Sequence, residues 1–581
     1  MNQFTIPISL TSPLKPLNQR LDLSVIVNTG DPSTSSVNYL GVIYEVDGVR
    51  GAKMRVFSDA EDGIWMGKFV VIDDAYPVLS RVISIDRRNY LSDERMIAQL
   101  DSKERMDELR KYGFDLEYIS TSTTASLSII GKFGGNGLLH IDRPIKPYSL
   151  VYDADDKLIE ALLGAGGDSS LDVGVIKGSR VHARLDPDKL VTHHCAILAS
   201  TGAGKSWLAG VILEELTLKV GLPILVIDPH GEYSAMQYQA EQDRASKEEA
   251  EAGERVSSLV SIYIPGKVDV SSMDRHYAKR FGRPRRYVRV GMNPRSMPLG
   301  ILVRLLNYYY GLTDAQRRIL EEGWVYNSVY EEPPLTPIDD LIKEIVETGK
   351  SAATKGYGGE IATSSLMTKL RMLFENRPFF ITRYGDYYGS EPIRLLDVRG
   401  MLSTPGIKVL DLSSLDVMDQ QALTAVVLDE VFSLAKRRSI PPTFLLIEEA
   451  HNFVPSKGSA MSKQPILRIA REGRKFGIGM CLVSQRPSRV DPDALSQCMT
   501  QIFKRIINPL DLKYVELISE YVSREEVGQL RVLNSDEALV TGLSVKIPLL
   551  IGVRRRFTAH GGETPSIEES LKDFLEGKQG S

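Results

Sequence analysis

Residues 198–207 read LASTGAGKSW, and the glycine-rich turn at their centre decides how the rest of the chain is read. The phosphate-loop pattern is G-x-x-x-x-G-K-[ST]. Ala199 to Ser206 read ASTGAGKS, with Ala199 in the place of the first glycine and Gly204, Lys205 and Ser206 where the pattern requires them. A loop that cradles an anion turns several backbone N–H groups inward, and bulky residues obstruct that turn. Gly202 and Gly204 supply the freedom, and Thr201 and Ala203 complete the loop. Lys205 is suited to neutralise the β- and γ-phosphates of a nucleotide and Ser206 to ligate magnesium, while the helix that starts here adds a favourable dipole. The competing reading is a chance glycine turn; an apolar strand before it and a helix after it count against that.

Working outward, residues 205–220 (KSWLAGVILEELTLKV) predict a helix that Gly221 stops. Apolar strands are expected at Pro223–Ile227, Lys408–Leu412, Phe444–Ile447 and Met480–Ser484, with helices at 418–437 and 463–476 among them. This alternation predicts an α/β core with a parallel sheet covered on both faces. Upstream, short strands such as Tyr39–Tyr44, Gly67–Asp73, Ser80–Ile85 and Ser126–Phe133 predict a small N-terminal β-barrel. The charged run 92–111 reads as a surface helix in a loop, 164–170 (GAGGDSS) as a link, and 240–254 as a solvated helix or mobile loop. The expected division is a barrel over 1–160, the first part of the α/β core over 161–300, a helical insertion over 301–400, the second part of the core over 401–540, and a C-terminal strand-and-tail segment over 541–581.

Strand ends carry the candidate chemistry. FLLIEEAHNF (444–453) delivers Glu448 and Glu449 to the carboxyl edge of a sheet, where Glu448 would organise magnesium and Glu449 would polarise the attacking water. VIDPHGEY (226–233) brings Asp228 to another such edge; Asp228 would hold a magnesium-bound water, or Glu232 would, or the stretch is an ordinary Asp turn. Gln485 of VSQRPSR (483–489) ends a third strand and would sense the γ-phosphate. AREGRKFGIG (470–479) puts Arg471, Arg474 and Lys475 at a helix end, where cations complement the dipole; in a ring of copies this helix would offer an arginine to a neighbour's γ-phosphate.

The whole chain is nearly neutral, with a formal charge of −4 over 581 residues, so no general basic field draws it onto nucleic acid. KRFGRPRRYVR (279–289) is the local exception: Lys279, Arg280, Arg283, Arg285, Arg286 and Arg289 would track DNA phosphates, or else form a solvated basic loop or a partner surface. Cys195, Cys481 and Cys498 form no CxxC, which fits neither a zinc site nor a disulfide scaffold and suits a reducing cytoplasm. The first twenty residues show no signal-peptide pattern, and no run of about 18 apolar residues predicts a membrane span.

ASTGAGKS, DPHGEY, EEAHNF, REGRKFG and SQRPSR, in this order, resemble the HerA family of hexameric DNA-translocating ATPases, related to FtsK-type motors. The resemblance covers most of the chain. It implies a RecA-like P-loop core in a homo-hexameric ring, with ATP and Mg2+ between subunits and double-stranded DNA in the pore. It also implies that Glu449 is the catalytic acid, Gln485 the sensor, and Arg474 the finger given in trans, with Arg471 as second choice. In the family the C-terminal segment embraces an adjacent subunit. Many relatives carry an arginine beside the histidine before the loop, whereas this chain has Thr192-His193-His194. The expected function is an ATP-driven DNA translocase working with a NurA-type nuclease, or with a sirtuin-type or other defence effector. The alternative is a ring scaffold whose ATP turnover switches a partner. A pump-like ATPase is a third reading, against which the lack of a membrane segment counts.

Overall fold

The computed structural model describes residues 38–89, 111, 121–134, 137–163, 167, 169–241, 246–324, 337–353, 359–381, 387–388, 391–519, 522–562, 567 and 571. These divide into two compact units, residues 1–162 and 163–581. The expected surface helix at 92–111 falls, apart from Lys111, outside the described residues.

In the first unit, strands Tyr39–Asp47, Gly51–Val56, Phe69–Asp73, Pro77–Asn89, Thr121–Gly134 and Leu150–Asp153 pair antiparallel throughout. The pairing of Gly51–Val56 with Thr121–Gly134 closes the sheet, so the expected barrel is present. Closure removes exposed sheet edges. Its interior is filled by alternate residues such as Leu40, Ile43, Met54, Val70, Ile72, Val82 and Leu127, the period-2 pattern of half-buried strands.

The second unit is built on one sheet whose neighbours run Arg394–Leu395, Tyr287–Gly291, Val260–Pro265, Gly406–Asp411, Pro223–Asp228, Thr443–Ile447, Ile478–Ser484, Cys195–Leu198 and Thr500–Phe503, all parallel. Glu537–Gly542, Leu549–Val553, Leu171–Ile176 and His182–Leu185 extend it antiparallel. The four central strands that sequence periodicity located are buried at every position, as a parallel sheet with both faces covered demands. Strand order places Ile478–Ser484 between Thr443–Ile447 and the loop strand Cys195–Leu198, a juxtaposition that no local pattern encodes.

Helices connect these strands. The Lys205–Glu215 helix continues as a wider π-type turn over Leu216–Val220 and ends at Gly221, whose φ of 70° is the left-handed stop expected of it. Asp416 caps the Val417–Lys436 helix through Asp419 N. The charged stretch after residue 245 resolves into the Lys247–Ser258 helix with a Ser246/Glu249 capping box. Between residues 299 and 376 lie the helices Leu299–Tyr310, Asp314–Gly323, Ile338–Ala353 and Gly359–Asn376.

Candidate active site

The loop ASTGAGKS leaves the carboxyl end of Cys195–Leu198 and enters the Lys205 helix. Gly202 and Gly204 have φ of 70° and 81°, a region where side chains are strained. Ala199 is absent from the positive-φ residues, which is why an alanine serves where the pattern has glycine. The loop is pinned from one side: Ser200 N donates to Arg505 O at 2.8 Å, and Ile507 N donates to Ser200 Oγ at 3.1 Å. Nothing lies within 4 Å of a Cβ built on Gly202, so the opposite side is open.

Glu448 and Glu449 follow the Thr443–Ile447 strand, two strands away from the loop. Glu449 sits at φ 49°, ψ 47°, a left-handed conformation that a non-glycine residue adopts at a cost. That turn puts its Oε1 3.9 Å from Lys205 Nζ, with both side chains more than nine-tenths buried. His451 Nδ1 lies 3.1 Å from Glu449 Oε2 and 3.2 Å from Ser484 Oγ. Burial works to raise the Glu449 carboxyl, but His451 and Lys205 outweigh it and hold the group below the usual carboxylate range. Glu448, 2% exposed, accepts a 2.6 Å hydrogen bond from Tyr233 Oη, and burial pushes its carboxyl up to about 8. Gln485 reaches the loop directly, since Thr201 Oγ1 donates to its Oε1.

The motif VIDPHGEY arrives on the adjacent strand, but Asp228 departs from the metal role expected of it. Its Oδ1 accepts the His230 and Gly231 N–H groups at 3.2 and 2.8 Å, and its Oδ2 accepts Tyr233 N at 2.8 Å. The carboxyl is fully buried and pushed up to about 7 by burial and by Asp411. It builds the turn that aims Tyr233 at Glu448, so the ordinary-turn reading describes it better.

Arg471 and Arg474 are not brought to this cluster. They precede the Ile478–Ser484 strand, whereas Gln485 follows it, so they stand at the amino edge of the sheet. Seven residues of strand separate the two edges by about 20 Å. Both arginines are exposed, and Arg471 pairs with Asp493 at 2.8 Å. The charge of Arg474 acts, after burial, to lower the His193 imidazole.

The basic run 279–289 also divides. Lys279 and Arg280 end the Ser271–Phe281 helix; Lys279, Arg283 and Arg286 are exposed, and Arg283 lies over the Tyr238 ring at 5.3 Å. Arg285 and Arg289 correct the expectation: both are about 5% exposed or less. Arg285 pairs with Asp274 at 2.9 Å and with Asp411; Arg289 pairs with Glu391 and donates to Val268 O at 2.8 Å. They belong to the framework: Arg289 lies in Tyr287–Gly291, an interior strand hidden in a sequence whose charge suggested a loop, and Arg285 just before it is held by its two carboxylates.

Sequence reading passed over three residues. Tyr233 and His451 are uninformative alone and matter through Glu448 and Glu449. Lys504 is fully buried at the back of the loop. The C-terminal segment, expected as a brace, packs on the loop helix of its own chain: Arg554 pairs with Glu214 and Glu215 at 3.0 and 2.9 Å, Phe557 N and Thr558 N donate to Glu214, and Trp207 Nε1 donates to Arg554 O. The described tail up to Gly562 thus straps the chain's own loop helix.

No helix of the described residues is long and apolar enough to cross a membrane, and the three cysteines are buried and unbonded to one another.

The profile described as "Helicase HerA, central domain" matches residues 171–431. A probable helicase of Methanocaldococcus jannaschii is 30% identical over 482 residues, covering 81% of this chain and 84% of that protein. A DNA double-strand break repair helicase HerA of Pyrococcus furiosus is 28% identical over 488 residues, 77% of this chain and 80% of that one. Among solved structures, VirB4 of Thermoanaerobacter pseudethanolicus overlays with a TM-score of 0.44 at 16% identity, over 67% of this chain and 97% of that one. With the loop, the acidic strand ends and the parallel sheet in place, the chain belongs to the HerA family of helicases and is a P-loop ATP hydrolase.

Proposed function

We propose that this chain is an ATP-driven translocase of double-stranded DNA, working as a homo-hexameric ring with a nuclease or other effector carried on a separate chain. The observation that carries the reading is the meeting of Lys205 and Glu449 at 3.9 Å, although 244 positions apart in sequence, beside an open loop with two left-handed glycines. The lysine and the acid thus face the same point at the carboxyl edge of the sheet, the point at which a phosphate and an attacking water would have to meet.

The residues fit ATP and Mg2+. Gly202 to Ser206 would wrap the phosphates, and Ser206 with Glu448 would hold magnesium, with Glu232 of the DPHGEY turn as a further candidate acid. Bound there, the ion would offset phosphate charge. Glu449, kept ionised by His451 and Lys205, would orient the attacking water and take its proton. Gln485, bonded to Thr201, would report the state of the loop to its strand. Arg474 lies some 20 Å away along the strand, so its service as a finger requires the site of a neighbouring copy. Lys279, Arg280, Arg283 and Arg286 are the side chains proposed to follow DNA phosphates.

The test is ATP hydrolysis by the purified protein with and without duplex DNA, beside Lys205→Ala and Glu449→Ala. Strong stimulation by DNA, lost in both variants, is expected. Turnover indifferent to DNA but responsive to a partner chain would replace the motor by a ring scaffold.

A further inference from the structure

Lys504 is the buried charge for which the site as described has no use. It follows the Thr500–Phe503 strand, the parallel neighbour of the loop strand, in which Phe503 stands opposite Leu198. Its N–H donates to Leu198 O at 3.0 Å, which sets its side chain beside the start of the phosphate loop. The residue is 0% exposed, and its Nζ has no hydrogen-bond partner. Cε and Nζ lie 3.2 and 3.4 Å from the point where a Cβ on Gly204 would stand, so the ammonium is lodged directly behind the loop.

An ammonium taken out of water without a carboxylate to meet it is costly, and folded chains normally pair such a group or neutralise it. The charged groups around it do not resolve this. Asp536 and Glu537, from the turn before the Glu537–Gly542 strand, attract it, but Glu537 is held by Lys177. On the loop side the next charge is that of Lys205, also positive. The loop, with a backbone shaped for an anion, thus has on its packed side a buried cation without a hydrogen-bond partner.

We propose that Lys504 is a second cation of the nucleotide site, a positioning residue whose buried ammonium, acting through the Gly204 backbone in front of it, strengthens the field that holds the triphosphate in the loop. The proposal rests on the reading of ASTGAGKS as a nucleotide site and extends it to a residue that no phosphate-loop pattern includes. It has a signature that packing alone would not produce. Burial pushes the ammonium down to about 8, with Asp536 and Glu537 pulling the other way. A bound triphosphate raises it again, so nucleotide affinity is full below pH 8 and falls as pH rises through that value. A one-unit rise on binding corresponds to about a tenfold change in affinity.

The experiment titrates the full-length protein with a fluorescent ATP analogue and Mg2+ from pH 7 to 9.5, for the natural chain, Lys504→Met and Lys504→Arg, with Lys205→Ala as a control. The natural chain is expected to lose affinity above pH 8. Lys504→Met should bind about tenfold more weakly at pH 7 and show no such loss, while its nucleotide-free melting temperature rises because an unpaired buried charge has gone. Lys504→Arg, charged throughout the range, should restore affinity without the decline. Natural affinity and an unchanged pH profile in Lys504→Met would overturn the proposal. So would a joint fall in affinity and melting temperature that Lys504→Arg fails to rescue. If Lys504→Met does not fold, calorimetry of the natural chain in two buffers at pH 8 decides, proton uptake on binding being expected and its absence contrary. A natural chain that binds no nucleotide sinks the site reading itself, which separates the two failures.

Discussion

The two edges of one parallel sheet differ sharply. At the carboxyl edge, Lys205, Glu448, Glu449 and Lys504 are all buried, Glu449 is held in a strained backbone, and Gln485 is bonded to the loop. At the amino edge, Arg471 and Arg474 are exposed on the end of a helix, with one surface ion pair to Asp493. Buried charge is expensive and is kept where chemistry needs a low-dielectric site. Exposed charge costs little and waits for something to approach it. The contrast teaches that the proposed catalytic machinery is divided within each copy: the proposed finger stands about 20 Å of strand away from the loop.

The sharpest way to break this comparison is Arg474→Ala. As a finger contributed to a neighbour it should cost about 10³–10⁵ in kcat, and mixing Arg474→Ala with Lys205→Ala subunits should recover part of the activity. An unaltered rate in Arg474→Ala would leave the amino edge with no catalytic part, and Arg471 would be tested next. At the carboxyl edge, Glu449→Gln keeps the shape of the side chain and removes the base. A fall of about 10²–10⁴ in kcat is expected, with nucleotide binding retained in the titration.

Burial against exposure makes a third contrast inside the basic run. Arg285→Ala breaks buried pairs to Asp274 and Asp411 and should destabilise the chain by about 3–5 kcal/mol in denaturant unfolding. Exposed Arg286→Ala should leave stability alone and, if it meets a phosphate, reduce the salt slope of DNA binding by about 0.9. Equal effects of the two would erase the distinction.

The mildest effect concerns pH. Glu448 and Asp228 are held up to about 8 and about 7 by burial, well above unfolded carboxylates. Between pH 5 and 8 the folded chain therefore binds protons that the unfolded chain does not, so nucleotide-free stability is present at the acid side of that window and declines as pH rises through it. Thermal melts at pH 6 and 8.5 should show the decline, and Glu448→Gln should lessen it.

What the amino-acid sequence determined alone is what short-range physics can write. Apolar runs of four or five residues marked the central strands, and Gly202, Gly204, Lys205 and Ser206 marked a loop that must curl around an anion, because periodicity and glycine's backbone freedom are local properties. Alternating strands before residue 155 likewise announced a barrel. Only the tertiary structure decided which strand lies beside which, and therefore that Glu449 meets Lys205, that Tyr233 reaches Glu448, and that Lys504 stands behind Gly204. It also decided that Arg285 and Arg289 of an apparently solvent-loving run are interior, since Asp411 and Glu391, far away in sequence, are brought against them while Arg286 between them stays exposed. Strand order is the outcome of global packing over hundreds of residues, and a local pattern holds no record of the partner that a distant segment will bring.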